Sequence, residues 1–483
     1  MKTRFYIISL TILLILNSNL LFCQDGIDKY FLGIELNGVL CGYSEVLVSD
    51  VNNIFIDQKT YITFKALGND ITQKQSFTYL LDPDNGNFIY HDSNMEQGDQ
   101  KMSSSMTVTG DTICIKTGET EEVVKIFLPD NTILPNTMFY PHLKVDFGIQ
   151  GLESKTYQVF NLRNGKVQDF EYRKVKNEQL ELNNKTYDAV SINETNPNTG
   201  LQTTYWIDIE SGLRLKMESQ NNIKMYLADI SLVSELKTGS WDDILFIKTN
   251  KKINDLRRIS AIAVNASLEA IPGPEINDLN VPGQSFKGQI SETSIKGVFE
   301  VNHRRYYGEN APLIGAANKF NQEISKFLKS EEMIESGNKE LLDLSLKIIE
   351  GSTDCWEAAC RLSRWVAENI DGSIYGGSAL ETFKRGNGAC GSQSLLLAAM
   401  CRTVGIPSRV VWGCLYTPEY GGSFGHHGWN EVYMGKEGWI PIDVTIHETD
   451  YIDSGHIRLG ILETTMTIIN FKEMKILDFS LNL

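Results

Sequence analysis

Residues 25–240 alternate apolar and polar side chains with a period of two, and near residue 340 that rhythm gives way to helical spacing. Few features restrict a fold as strongly. Strand side chains alternate between faces, whereas those of a helix recur every third and fourth position. Runs such as Ile54-Phe55-Ile56, Tyr61-Ile62-Thr63-Phe64 and Val123-Val124-Lys125-Ile126-Phe127 are separated by Asn, Asp and Gly turns. They predict an all-β antiparallel domain over 24–240. An internal echo predicts a duplicated unit: Thr78-Tyr79-Leu80-Leu81-Asp82 before Gly86 parallels Thr204-Tyr205-Trp206-Ile207-Asp208 before Gly212, and Asn37-Gly38 parallels Asn164-Gly165. The segment Asp82-Pro83-Asp84-Asn85-Gly86 suggests a calcium loop, but Ser93 stands at the twelfth position, where such a loop has Glu. It reads as a turn between strands.

The predicted fold is multidomain. Residues 241–315 read as a small β module, punctuated by Ile271-Pro272-Gly273-Pro274-Glu275 and Val281-Pro282-Gly283, with Ser294–Val301 as its clearest strand. Residues 316–483 read as an α+β domain, helices first and then an antiparallel sheet. Leu342, Leu346 and Ile349 form one helical stripe, and Cys355, Ala359, Leu362 and Val366 form another, N-capped by Thr353 or Asp354. Residues 369–385 are a glycine-rich approach to a helix over 391–404, which Gly405 and Pro407 stop. Residues 408–412, 429–434 and 439–444 read as strands.

Residues 1–23 have the form of a secretory leader: Lys2 and Arg4, then the apolar run Phe5–Leu16. Cleavage after Cys23 would begin the mature chain at Gln24. A lipid anchor at Cys23 is disfavoured by the bulk of Phe22 just before it. The expected location is periplasmic or extracellular. No later stretch is apolar for long enough to span a membrane as a helix. Losing Lys2 and Arg4 takes the formal charge from −16 to −18. With no basic patch, nucleic acid is not an expected partner. Export permits disulfides among the eight cysteines, and Cys41 with Cys114 is a candidate pair. Cys355 and Cys360, five apart on a helix, point away from each other. No C-x-x-C pair occurs, so no structural zinc site is expected. No other metal and no cofactor are expected.

The chemistry-bearing residues lie late in the chain. Cys390 sits in Gly386-Asn387-Gly388-Ala389-Cys390-Gly391-Ser392-Gln393 at the start of the 391–404 helix. A helix N-terminus favours a thiolate, and the flanking glycines leave room for a substrate backbone. His427 follows the loop Gly421-Gly422-Ser423-Phe424-Gly425-His426 at the leading edge of a strand. There it could hold the thiol as an ion pair and protonate a leaving group. Asp443 ends the next strand. A hairpin turning at Gly435-Lys436-Glu437-Gly438 would bring it beside His427 to fix the imidazole. His426 is the rival histidine. Cys401 and Cys414 read as buried hydrophobes, Trp429 and Trp439 as core or pocket walls, and Asn387 and Gln393 as turn and helix-surface residues. One oxyanion donor is the Cys390 backbone N–H, with Trp or Tyr from 365–375 as candidates for the rest.

Three blocks resemble the transglutaminase-like superfamily, a papain-related group. These are Gly388-Ala389-Cys390 with Gly405-Ile406-Pro407-Ser408-Arg409; His427-Gly428-Trp429 with Glu431-Val432-Tyr433; and Trp439-Ile440-Pro441-Ile442-Asp443. The resemblance covers about 320–460 and implies that Cys390, His427 and Asp443 form a catalytic triad for acyl transfer. Asp450–Leu459, with Ser454-Gly455-His456-Ile457, resembles a tail of secreted bacterial members. Gly391 and Gly428 depart from the polar residue and Ala usual there. The implied activity is that of an exported cysteine enzyme. It would hydrolyse amide bonds of a protein or peptide, as a peptidase or amidase does, or cross-link them to an amine. The alternative is a non-catalytic binding protein of the cell envelope, with a retained but idle site. The pattern implies nothing about oligomeric state.

Overall fold

A computed structural model describes residues 27–482 apart from 50–53, 99, 119–122, 163–164, 197–201, 221, 271–278, 292–293, 316–319, 374–375 and 463–468. The leader at 1–23, Asn164, the Ile271–Glu275 turn and Tyr375 lie outside the described residues.

The alternating region builds one sheet of fifteen strands, antiparallel except for the short strand Gly239–Ser240, which runs parallel to Phe64–Lys65. The pairing follows chain order through each half. The halves join where Ile27–Leu36 pairs with Ile223–Ala228. So long a sheet must curl to bury a face. Leu32, Val46, Ile56 and Leu81 from the first half share one core with Phe160, Ala189, Leu215 and Leu227 from the second. The echoed motifs occupy equivalent turns. Gly86 N–H bonds the Asp82 carbonyl and Gly212 N–H the Asp208 carbonyl, each at 2.9 Å. Both glycines have positive φ, 74° and 79°, a region that suits a residue without Cβ. Asp82 serves its own turn, accepting Asp84 N–H and the Asn85 amide through its two carboxylate oxygens.

Cys41 and Cys114 do not pair; both are free thiols. Cys41 lies on Val39–Ser49 and Cys114 on Thr112–Thr117, with four strands of the sheet between them, far beyond disulfide reach.

The connection to the second half of the molecule is anchored at Asp242. Its carboxylate accepts the Leu67 and Gly68 N–H groups at 2.6 and 3.1 Å. Strand β1 (Phe246–Lys248) then joins the sheet of the C-terminal domain. The β module is a sheet of β2 (Ile259–Ala270), β3 (Gln284–Ser291) and β4 (Ser294–Val301), in the order β3-β4-β2. Its fourth strand, beside β2, comes from the end of the chain, residues 469–481. The expected boundaries at 315 and 316 therefore fail for the last strand, whose pairing is non-local.

Among the described residues the four longest helices of the C-terminal domain pack against a sheet: α1 (Lys339–Ile348), α2 (Cys355–Asn369), α3 (Ala379–Arg385) and α4 (Cys390–Thr403). The α2 stripe is buried as expected, and Asp354 is the N-cap, accepting the Trp356 and Glu357 N–H groups. On α1 two of the three expected positions are one residue off. Leu341 and Ser345 face the core together with the expected Ile349, while Leu346 is half exposed. Helix α3 lies where a glycine-rich approach was expected. It is closed by a capping box between Ser378 and Glu381 and ends at Gly386. Helix α4 is buried on all sides from Ser392 to Arg402, as a central helix must be. The sheet consists of β1, β5 (Ser408–Thr417), β6 (Ser423–Tyr433), β7 (Trp439–Ile442) and β8 (His456–Ile461). The terminal strand of the module sheet is β9 (Ile469–Leu481). Much of the expected 421–426 loop belongs to β6, so His427 sits within a strand and not at its edge. Among the described residues no helix is long and apolar enough to cross a membrane.

Candidate active site

Cys390 is the first residue of α4. Gly386, with φ of 73°, ends α3, and the two-residue strand Asn387–Gly388 pairs with Asp371–Gly372 before the chain turns into α4. A Cβ at Gly388 would lie 3.0 Å from both Ser392 and Thr382, so the close approach needs glycine. The Gln393 amide donates to the Gly388 and Asp371 carbonyls, at 3.1 and 3.3 Å. Gln393 is thus a buried brace behind the cysteine, not the helix-surface residue expected. Ala389, the N-cap, offers no side-chain acceptor. The first N–H groups of α4 therefore lack the side-chain partner that usually covers them, and the positive end of the helix faces the thiol.

The β6–β7 hairpin turns over Gly435–Glu437 and sets Asn430 opposite Ile442. That register places Asp443, just past β7, beside His427. His427 Nε2 donates to Asp443 Oδ2 at 2.6 Å. The other ring nitrogen is left for Cys390, with which His427 shares a hydrogen bond. Asp443 Oδ1 accepts Thr445 N–H at 2.9 Å. Trp429 is fully buried and stacks on the His427 ring at 6.1 Å and 20°. The structure thus brings Cys390, His427 and Asp443 together. His426, one residue earlier, is exposed on the opposite face, against Phe471.

The electrostatics separate Cys390 from five of the other thiols. Burial pushes Cys41 and Cys355 up to about 11 and Cys360 up to about 12, and it raises Cys401 and Cys414 further. Burial also acts to raise Cys390. The hydrogen bond and charge of His427, with the Gly428 backbone, outweigh it and bring the thiol below its ordinary value. Burial alone would lower His427. The charge and hydrogen bond of Asp443, with those of Cys390, push it up to about 10. Asp443 is fully buried, which opposes its ionisation, but the charge of His427 and the bonds from both neighbouring histidines hold it well below the usual carboxylate range.

The second histidine is His456, which sequence reasoning placed only in a family-like tail. Its Nε2 also donates to Asp443 Oδ2, at 3.0 Å. Around it lie Glu448 and Asp453, both fully buried. Two groupings, His427 with Asp443 and His456, and Glu448 with Asp453 and His456, bring three possible metal donors within 4.8 Å of one another. Most of these donors already serve hydrogen bonds. Asp453 Oδ1 accepts Gly455 N–H and Glu448 Oε2 accepts Asp453 N–H, at 2.8 and 2.9 Å. We read both groupings as one hydrogen-bonded network. Among the suggested oxyanion donors, the Cys390 N–H stands at the helix start, while Trp365 packs against Phe383 in the helical core.

The two departures from the family pattern have room. A Cβ at Gly391 meets nothing within 4 Å, and one at Gly428 meets only ordinary contacts of 3.6 Å or more. Gly428→Ala is expected to keep the melting temperature within about 2 °C and activity within about threefold, checked by calorimetry and initial rates.

Residues 343–444 match the sequence profile of the transglutaminase-like superfamily. The C-terminal domain is transglutaminase-like. No curated protein matches the chain. Solved structures with a similar backbone include a candidate cysteine protease from Cytophaga hutchinsonii, 14% identical, covering 48% of this chain and 93% of its own, with a TM-score of 0.32. A β-barrel-like protein of a domain family of unknown function, from Brucella abortus, is 10% identical, covers 42% of this chain and 95% of its own, and scores 0.32. A candidate protease from Parabacteroides distasonis is 8% identical, covers 81% of this chain and 70% of its own, and scores 0.19.

Proposed function

We propose that the chain is an exported cysteine enzyme that cleaves amide bonds of a protein or peptide through a thioester on Cys390. One observation carries the reading. Cys390, His427 and Asp443 form a continuous hydrogen-bonded chain at an uncapped helix start, with the thiol lowered and the imidazole raised. That pairing favours thiolate and imidazolium, the reactive form, and disfavours the idle-site reading.

In the proposed reaction the Cys390 thiolate attacks the carbonyl carbon, and the oxyanion develops toward the Cys390 N–H at the start of α4. The His427 imidazolium gives its proton to the leaving nitrogen as the C–N bond breaks. The product is an acyl thioester and a free amine. His427, now neutral, takes a proton from an incoming water. The C–S bond then breaks, which returns thiolate and imidazolium and releases a carboxylic acid. Asp443 stays ionised and holds the ring. An amine arriving in place of water would give cross-linking with the same residues. Export rests on the leader pattern of residues 1–23.

The test is to incubate the purified protein with a peptide library, with and without a primary amine, and read products by mass spectrometry. Cleaved peptides that disappear in Cys390→Ala are expected. Amine adducts in their place would favour cross-linking, and no Cys390-dependent product in either channel would overturn the reading.

A further inference from the structure

His456 has no place in a three-residue triad, yet it binds the same carboxylate oxygen as His427. Asp443 Oδ2 accepts His427 Nε2 at 2.6 Å and His456 Nε2 at 3.0 Å. The other nitrogen of His456, Nδ1, lies 3.1 Å from the Asp453 carbonyl oxygen. A carbonyl oxygen can only accept, and so can an ionised carboxylate. Both ring nitrogens of His456 must then carry protons, which makes the ring a cation. The surroundings suit one. Nδ1 is 3.6 Å from Asp453 Oδ1 and 3.9 Å from Glu448 Oε2, and all three side chains are fully buried. A buried charge is retained only where it is paired and hydrogen-bonded.

We propose that His456 is a fixed imidazolium and the fourth member of a chain Cys390–His427–Asp443–His456, a positioning residue that locks the Asp443 carboxylate and offsets part of its charge. This rests on the proposed role of the first three. Two consequences follow. With Thr445 N–H on Oδ1 and two histidines on Oδ2, Asp443 cannot rotate away from His427. A cation behind Asp443 also weakens its pull on His427, so that His427 gives up its proton to a leaving group more readily.

The other groups around His456 do not cancel this. On its own strand, Arg458 turns to Glu431 at 3.1 Å. Behind it, burial and the neighbouring carboxylates, against the pull of His456, push Glu448 up to about 8. Arg257 reaches Glu448 Oε1 only at 3.9 Å. His303, which follows β4, is pushed down to about 4, first by burial and then by the charge of His456, and stays neutral. Trp429 closes the remaining side, edge-on to the His456 ring at 5.2 Å.

The test uses the full chain and His456→Gln, which keeps a hydrogen-bond donor but loses the charge. We expect kcat to fall by about 10–100-fold with KM nearly unchanged. The alkaline limb of kcat/KM should move up by about one pH unit, as Asp443 recovers its full charge beside His427. A purely structural role would lower activity at every pH without moving the limb, and that result would overturn the proposal. Nitrogen NMR of the wild-type histidines needs neither turnover nor a stable variant. Two N–H groups on His456 from pH 5 to 9 are expected. One bare ring nitrogen, or a stoichiometric metal ion bound at Nδ1, would overturn it. If the wild type forms no acyl product yet His456 stays doubly protonated and His427 titrates higher in His456→Gln, the proposed function falls and this inference stands.

Discussion

His427→Ala should slow alkylation of Cys390 by iodoacetamide at pH 6 by about 10²–10³-fold. The size follows from the thiolate fraction. An ordinary thiol with a pKa near 8.5 is ionised to only about 0.3% at pH 6. In the wild type the thiol is held below its ordinary value by His427 and the Gly428 backbone, despite burial. In the variant the lowering contributions of His427 vanish while burial remains, so the thiol rises toward the range of its buried neighbours Cys41 and Cys355, about 11. Those two thiols are internal controls that should label slowly in both proteins. The measurement is the alkylation rate from pH 5 to 9, with mass spectrometry to locate the label. A rate at Cys390 that is the same in both proteins, or no faster than at Cys41, would refute the ion pair.

Asp443→Asn should lower kcat by about 10³–10⁴-fold, because an amide can keep its oxygen on the two histidines only by setting its N–H₂ against the Thr445 N–H, and the opposite orientation sets N–H₂ against both ring N–H groups. His427 would be released to the wrong tautomer, with the exchangeable proton facing Cys390. Stability should change too, by about 3 kcal/mol near pH 6, since two buried donors lose an ionised partner. The pH dependence has a definite sign. His427 is raised in the folded state to about 10, so its contribution is complete below its unfolded pKa of about 6.5 and is lost as pH climbs toward 10. Asp443 is lowered, so its contribution is present above its unfolded pKa of about 3.9 and is lost as pH falls further. The wild type should therefore be most stable between about pH 4 and 6.5. The variant should show a flatter alkaline decline. Thermal unfolding at a series of pH values checks this, and parallel curves for the two proteins would contradict it.

That Cys390, His427 and Asp443 could be brought together was legible because the cues for it are local. Cys390 stands among glycines at a helix start, and Asp443 closes a hairpin whose turn, Gly435-Lys436-Glu437-Gly438, is plain in the sequence. The β character of the first half was legible for a similar reason, since alternation and turn residues act over a few positions. What was missed depends on contacts that sequence neighbours do not report. On α1, Leu341, Leu342, Leu344 and Leu346 are all apolar, so the period alone allows two stripes, and only packing chooses Leu341 over Leu342. Helix α3 was hidden by the glycines around it, although Ser378-Ala379-Leu380-Glu381 carried the capping signal that could have revealed it. His456 offered no chemical cue, because Asp443 and Asp453 meet its ring only through the path of the 443–456 loop. The pairing of β9 with β2 likewise spans some two hundred residues.

The return of β9 to β2 has an evolutionary consequence. The C-terminal domain leaves the module after β4, the chain comes back to it at β9, and both strands flank β2. It therefore behaves as a guest inserted within a host sheet, not as a bead at the end of a string. The cassette that could be shuffled intact between proteins runs from about 246 to 481, β1 and module included, and a recombination breakpoint at 316 would sever the host from its own last strand.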